Sequence, residues 1–194
     1  MTEVLERDVS VTDVKTVLHV GCGHYNPKKL HKQFQNEGWK EIRFDIDPAV
    51  QPDILGDMTD MTAVSDTSMD AIWSSHNIEH LYWHDVPVAL REFHRVLKVG
   101  GFVYMTLPDI QAVAKHVAEG NLEDPLYDSP AGPISAIDIL YGHRASINRG
   151  NHFMAHKTAF TSKTLAQRLY EAGFDGVRTQ SETLNLWAIG YKRK

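Results

Sequence analysis

Hydrophobic positions in this chain fall in short runs separated by polar turns. Val17-Leu18-His19-Val20 reads as a strand that empties into Gly21-Cys22-Gly23. Arg43-Phe44-Asp45 and Asp53-Ile54-Leu55-Gly56-Asp57 follow as second and third strand-like runs, each ending in an acid. Met69 to Ser75 reads as a fourth strand, and Phe102 to Leu107, closed by Pro108, as a fifth. Between those two, Val86, Ala89, Leu90, Phe93, Val96 and Leu97 recur at three- and four-residue spacing, which predicts one helical face with Gly100-Gly101 as its stop. Asn26 as an N-cap, Pro27 at the first helical position and Gly38 as terminator predict a helix between the first two strands. The alternation predicts an α/β domain: a parallel sheet with helices on both faces and right-handed crossovers.

Past Asp109 the pattern loosens. A helix is expected around Ile110, Val113, Ala114 and Val117, then a turn-rich stretch (Asp124-Pro125, Ser129-Pro130, Gly132-Pro133) leads into the run Ile134 to Tyr141. Residues 109–160 exceed an ordinary connection and leave from the carboxyl end of a strand. They are expected to form a substrate lid, with a packed structural insertion as the competing reading. The chain closes with a helix from about Ser162 to Ala172, a strand near Val177-Arg178-Thr179 and a final run from Leu184 to Tyr191. Repeats and interdomain linkers are not evident, so residues 1–194 read as one domain.

Composition narrows the partners. The chain has 194 residues, enough for a core that buries roughly 70% of the unfolded surface. A net charge of -5 gives no general attraction for nucleic acid or an anionic membrane. Without a basic groove, Trp73, Trp83 and Trp187 read as packing residues rather than a base-stacking platform. Cys22 is the single cysteine, so neither an intramolecular disulfide nor a cysteine zinc site is available. The N-terminal stretch carries Glu3, Glu6, Asp8 and Asp13 without an apolar signal core, and no run is long enough to span a bilayer. A cytoplasmic protein is expected.

Strand, glycine turn, helix, strand, acid is how an open parallel sheet builds a nucleoside pocket. The dinucleotide fingerprint fails, because Asn26 stands where its last glycine belongs, and NAD is not expected. The ordered set Val17-Leu18-His19-Val20-Gly21-Cys22-Gly23, Phe44-Asp45-Ile46-Asp47-Pro48, Gly56-Asp57-Met58, Ser74-Ser75-His76-Asn77-Ile78-Glu79-His80-Leu81 and Leu90 to Gly101 resembles the class I S-adenosylmethionine-dependent methyltransferases, type 11-like branch. The resemblance implies a Rossmann-like, doubly wound, seven-stranded sheet, mostly parallel, whose antiparallel last strand lies between the fifth and sixth. It also implies S-adenosyl-L-methionine as cofactor and a small-molecule acceptor methylated at oxygen or nitrogen.

Carried over by position, Gly21 and Gly23 would pass under the methionine part of the cofactor. Asp45 would hold the ribose hydroxyls, with Asp47 as its neighbouring candidate, and Asp57 with Met58 would flank adenine. His19, Cys22 and Ser75 complete the expected cofactor-binding set. This chain departs from the family where His19 replaces an acid and Tyr25 replaces a third glycine, which keeps a non-catalytic binding protein of the same fold as the alternative.

The cofactor's sulfonium would already be electrophilic, so the expected task is in-line placement, plus a base if the acceptor is a hydroxyl or an ammonium. His76, at the end of the fourth strand, is the first candidate, followed by His143 and His152. Tyr141, His143, Arg144, Asn151, His152, His156 and Lys157 are candidates for a polar substrate wall. His76-Asn77-Ile78-Glu79-His80 also matches the inverted zinc-protease pattern H-x-x-E-H, which makes a metallopeptidase the third reading. For His76, Glu79 and His80 two readings stand: ion ligands, or Glu79 and His80 capping and orienting the next helix. The second is preferred and no metal is expected.

Overall fold

Val17, Leu18 and Val20 are wholly buried, as the central strand of a sheet covered on both faces requires. The computed structural model describes residues 14–194, and the acidic N-terminal stretch with Glu3, Glu6, Asp8 and Asp13 lies outside them. Among the described residues nine strands occur in chain order: β1 (Lys15–Val20), β2 (Trp39–Asp45), β3 (Ile54–Leu55), β4 (Met69–Ser75), β5 (Leu97–Pro108), β6 (Pro125–Ser129), β7 (Gly132–Ser135), β8 (Asp175–Glu182) and β9 (Asn185–Tyr191). The helices are α1 (Val86–Val96), α2 (Ile110–Ala118), α3 (Ala136–Tyr141), α4 (Arg144–Asn148) and α5 (Ser162–Glu171). The main sheet has seven strands in the order β3-β2-β1-β4-β5-β9-β8, and β6 pairs with β7 as a separate ribbon. Strands β1 to β5 are parallel, whereas β9 runs antiparallel to both β5 and β8. This is the expected doubly wound order, with the last strand inserted between the fifth and sixth.

Alternating side chains divide the core. Leu18, Val20, Ile72, Val103, Met105 and Leu186 join Leu90 and Phe93 of α1 and Leu165 and Leu169 of α5 in one buried cluster. On the other face Val17, Ala71 and Trp73 meet Leu30 and Phe34, with Phe102, Tyr104 and Trp187 packed alongside. Leu30 and Phe34 belong to the segment expected to be a helix. The structure instead forms two short 3-10 turns, Pro27–Lys29 and Lys32–Phe34, with Leu30 and His31 extended between them. The physical reason is local. The buried Trp73 indole donates its N–H to the Lys29 carbonyl at 2.9 Å, an acceptor a continuous helix would have used internally.

The diglycine also differs from expectation. Helix α1 ends at Val96 and the chain turns directly into β5, so Gly100 and Gly101 lie within the strand, at a register shift against β4. A Cβ on Gly101 would stand 2.9 Å from both the Asp70 and Lys98 carbonyl oxygens, which explains the need for glycine there.

The segment between β5 and α5 begins and ends at a parallel bridge between Asp109 and Phe160. It holds α2, the β6-β7 ribbon, α3 and α4, with its own small core of Val113, Ile134, Ala136 and Ile139 closed by Leu184. Lys157 and Thr158 donate their N–H groups to the Glu79 carbonyl at 2.8 and 3.1 Å, which fastens this segment to the loop after β4. Among the described residues no helix is long and apolar enough to cross a membrane.

Candidate active site

The glycine turn after β1 is left-handed at two points, with φ of +64° at Gly21 and +60° at Gly23. A Cβ on Gly21 would fall 1.8 Å from Asn77 Oδ1, so Asn77 occupies the space that glycine leaves free. Asn77 donates to the Val20 carbonyl at 2.7 Å, which holds the loop after β4 against the turn after β1. Asp45, at the end of β2, is 9% exposed and accepts the Gly23 N–H at 2.7 Å and the Asp47 N–H at 2.9 Å. Lys29 Nζ lies 2.5 Å from where a Gly23 Cβ would stand and donates to the Cys22 carbonyl at 3.4 Å. His19, buried in β1, has Nδ1 2.6 Å from Glu41 Oε1 of β2.

The end of β4 carries the second half of the site. His76 takes a positive φ of 54°, an uncommon conformation outside glycine that turns the chain out of the strand. Its N–H bonds to the Thr106 carbonyl at 2.8 Å, and its Nδ1 lies 3.4 Å from Glu79 Oε1. Burial works against charge on His76, but the adjacent Glu79 carboxylate outweighs it and raises the imidazole pKa above its ordinary value. For Glu79, burial pushes the pKa up; His76, His80 and His156 outweigh it and hold the carboxyl below its usual range. His156 is shifted downward, chiefly by burial. Glu79 and His80 sit in a 3-10 turn, Ile78–His80, rather than at the head of a helix. His76 and His80 therefore do not share the single helix that the inverted zinc-protease pattern requires.

A cavity of about 1210 Å³ opens at the carboxyl ends of the strands, where ligands bind in open parallel sheets. Of the expected cofactor-binding residues, His19, Gly21, Gly23, Asp45, Asp57, Met58 and Ser75 line it. Cys22 does not: its side chain is buried behind the turn, and its thiol pKa is pushed up to about 11, mainly by burial. Of the expected catalytic histidines, His76 and His143 reach the cavity, and His143 Nδ1 pairs with Ser146 Oγ at 2.8 Å. His152 stands outside it, exposed at the first position of a 3-10 turn whose neighbours Asn151 and Phe153 are the ones turned to the cavity. Arg144 is likewise no wall residue, because it is committed to Asp138 at 2.9 Å.

Sequence reasoning missed Lys29 and Asn77. The signal for Asn77 was its place next to the strand-terminal His76. Thr106 was also missed; it lines the cavity, and its buried hydroxyl lacks a hydrogen-bond partner.

The sheet order, the glycine turn and the acid at the end of β2 define a class I methyltransferase fold. Solved structures share it. A SAM-dependent methyltransferase from Archaeoglobus fulgidus superposes with a TM-score of 0.60 at 15% identity, over 93% of this chain and 87% of that one. One from Methanosarcina mazei gives 0.60 at 18% identity over 93% of each chain. A chain from the complex between the Haloferax volcanii Trm112 methyltransferase activator and a methyltransferase gives 0.63 at 16% identity, over 95% and 85%. No curated protein sequence matches the chain. Residues 18–105 match the family model described as a methyltransferase domain. Residues 18–105 thus carry a methyltransferase-domain match within a fold shared with proteins that use S-adenosylmethionine. The residues fit that group: a Cβ-free turn, a carboxylate beside it and a cavity with room for cofactor and acceptor together.

Proposed function

We propose that this enzyme methylates an oxygen or nitrogen of a small-molecule acceptor, with His76 as the base. The observation that carries the reading is His76 itself, set at the cavity end of β4 with its Nδ1 3.4 Å from the buried Glu79 carboxylate. When bound, S-adenosylmethionine supplies an electrophilic methyl group. Asp45 would accept the ribose hydroxyls through the lone pairs left by its two backbone bonds, with Asp47 beside it. Asp57 and Met58 would flank the adenine, and Lys29 would face the carboxylate of the methionine part. His76 would take the acceptor's O–H or N–H proton as the methyl group passes to the acceptor, the carbon–sulfur electron pair staying with sulfur.

Residues 109–160 serve as the acceptor lid, with His143, Asn151 and Lys157 as its polar contacts. The net charge of -5 supports a small acceptor rather than nucleic acid or a membrane, and a cytoplasmic setting remains part of this reading. The test is transfer of an isotopically labelled methyl group across a panel of phenols, hydroxy acids and amines. His76→Ala is expected to lower turnover by about 100-fold or more, the usual worth of a general base, while binding S-adenosylhomocysteine like the wild type. Equal turnover in the two proteins would remove His76 from the reaction. A wild-type protein that binds the cofactor product yet turns over nothing in the panel would favour a non-catalytic binding protein.

A further inference from the structure

Glu79, besides standing next to His76, belongs to a second cluster where the loop after β4 meets the end of the insertion. Glu79 is 1% exposed, and neither of its carboxylate oxygens has a hydrogen-bond partner, although His76 Nδ1 stands 3.4 Å from Oε1. A buried carboxylate is costly unless a cation or a donor answers it. Two further rings beside it are His80 and His156, whose centroids lie 4.9 Å apart.

Both rings are held from behind. His80 Nδ1 is 3.1 Å from the Ala155 carbonyl, and His156 Nδ1 is 2.7 Å from the Ile139 carbonyl. A carbonyl only accepts, so each Nδ1 carries the hydrogen and each neutral ring keeps a bare lone pair on Nε2. Backbone carbonyls that take the far N–H are the usual way metal-ligating histidines are oriented. One ligand atom from each of Glu79, His80 and His156 lies within 4.8 Å of the others. His76, the leading residue of the H-x-x-E-H pattern, is not in this group.

We propose that Glu79, His80 and His156 form a three-ligand site for a divalent transition-metal ion, zinc above all, that clasps the insertion to the carboxyl edge of the sheet. Two imidazoles and one carboxylate are a zinc donor set, whereas magnesium and calcium call for oxygen cages. Three protein ligands leave a fourth position free. His80 and His156 line the cavity, so that position faces the space the acceptor occupies. Tetrahedral bonds of about 2.0–2.2 Å place ligand atoms about 3.3 Å apart, so binding draws His156 inward along the contact already made by Lys157 and Thr158. The site stands on its own geometry and does not depend on which acceptor is methylated.

The test uses tag-free protein, stripped with EDTA, desalted and titrated first with cobalt(II) and then with zinc(II). The expected result is one cobalt per chain with the visible absorption of a tetrahedral site, its displacement by zinc, one zinc retained after desalting, and a raised Tm. His80→Ala and His156→Ala are expected to weaken zinc binding by more than about 100-fold, beyond the loss of an outer partner. His84→Ala, an exposed histidine elsewhere, should bind like the wild type. Binding of S-adenosylhomocysteine by each variant checks the fold independently of metal. Substoichiometric zinc in the wild type, or full zinc affinity in His156→Ala, would overturn the proposal.

Discussion

Asp45 accepts the Gly23 N–H at 2.7 Å, which ties the acid at the end of β2 to the glycine turn at the end of β1. The two elements of the proposed cofactor cradle are therefore one unit. Moving the acid moves the backbone of the glycine turn.

Gly21 is constrained from two sides, by its φ of +64° and by Asn77 Oδ1 standing 1.8 Å from the missing Cβ. Gly21→Ala is expected to cost about 2–4 kcal/mol, part from the left-handed backbone and part from overpacking. Asn77→Ala relieves only the second part. Urea denaturation of both single variants and the double variant should give a double-variant loss smaller than the sum. Strict additivity would mean that the two residues do not compete for the same space.

Cys22 should be a slow thiol. It is 2% exposed and its pKa is pushed up to about 11, so at pH 8 little thiolate is present or reachable. Native protein is expected to react with a disulfide reagent at least about 100-fold more slowly than urea-unfolded protein, which should release one equivalent at once. Rapid labelling of the native protein would contradict the placement of this side chain.

Asp138 is the acid-sensitive post of the insertion. Burial pushes its pKa up, but hydrogen bonds from Arg144 and Ser135 outweigh burial and hold it well below the carboxylate range. A depressed folded pKa contributes stability that is present above the unfolded value of about 3.9 and is lost as pH falls toward the folded value. Asp138→Asn should therefore lose about 1–3 kcal/mol at pH 7, with the gap to wild type narrowing below about pH 4. A gap that does not change between pH 7 and pH 3 would mean the carboxylate charge contributes nothing there.

Most of the sheet was legible because its signals are local. Val17 to Val20 running into glycines, Phe44-Asp45, and the apolar stripe of α1 each declare an element within a few residues. What was not legible depended on distant partners. The Asn26-Pro27 start promised a helix, but the Trp73 indole of β4, far along the chain, claims the Lys29 carbonyl. Gly100-Gly101 looked like a helix stop because nothing nearby shows that Gly101 must slip between the carbonyls of Asp70 and Lys98.

The site divides in the same way. Gly21, Gly23 and Asp45 follow from strand ends and lie together on the cavity wall. The neighbours His80 and His156 come from elements whose meeting is set only by how residues 109–160 fold back, and no spacing in the chain encodes it. Cys22 and His152 show the limit at single-residue scale. Each sits beside cavity-lining residues yet does not line the cavity itself.

The most direct measurement is calorimetric titration of the wild-type protein and Asp45→Ala with S-adenosylhomocysteine. The account predicts micromolar 1:1 binding by the wild type. In the variant, loss of the ribose bonds and of the Gly23 anchor should weaken it by roughly 10- to 100-fold, the worth of one hydrogen-bonding charge. No binding by the wild type, or equal affinity in the variant, would contradict a cofactor site between the β1 turn and the end of β2.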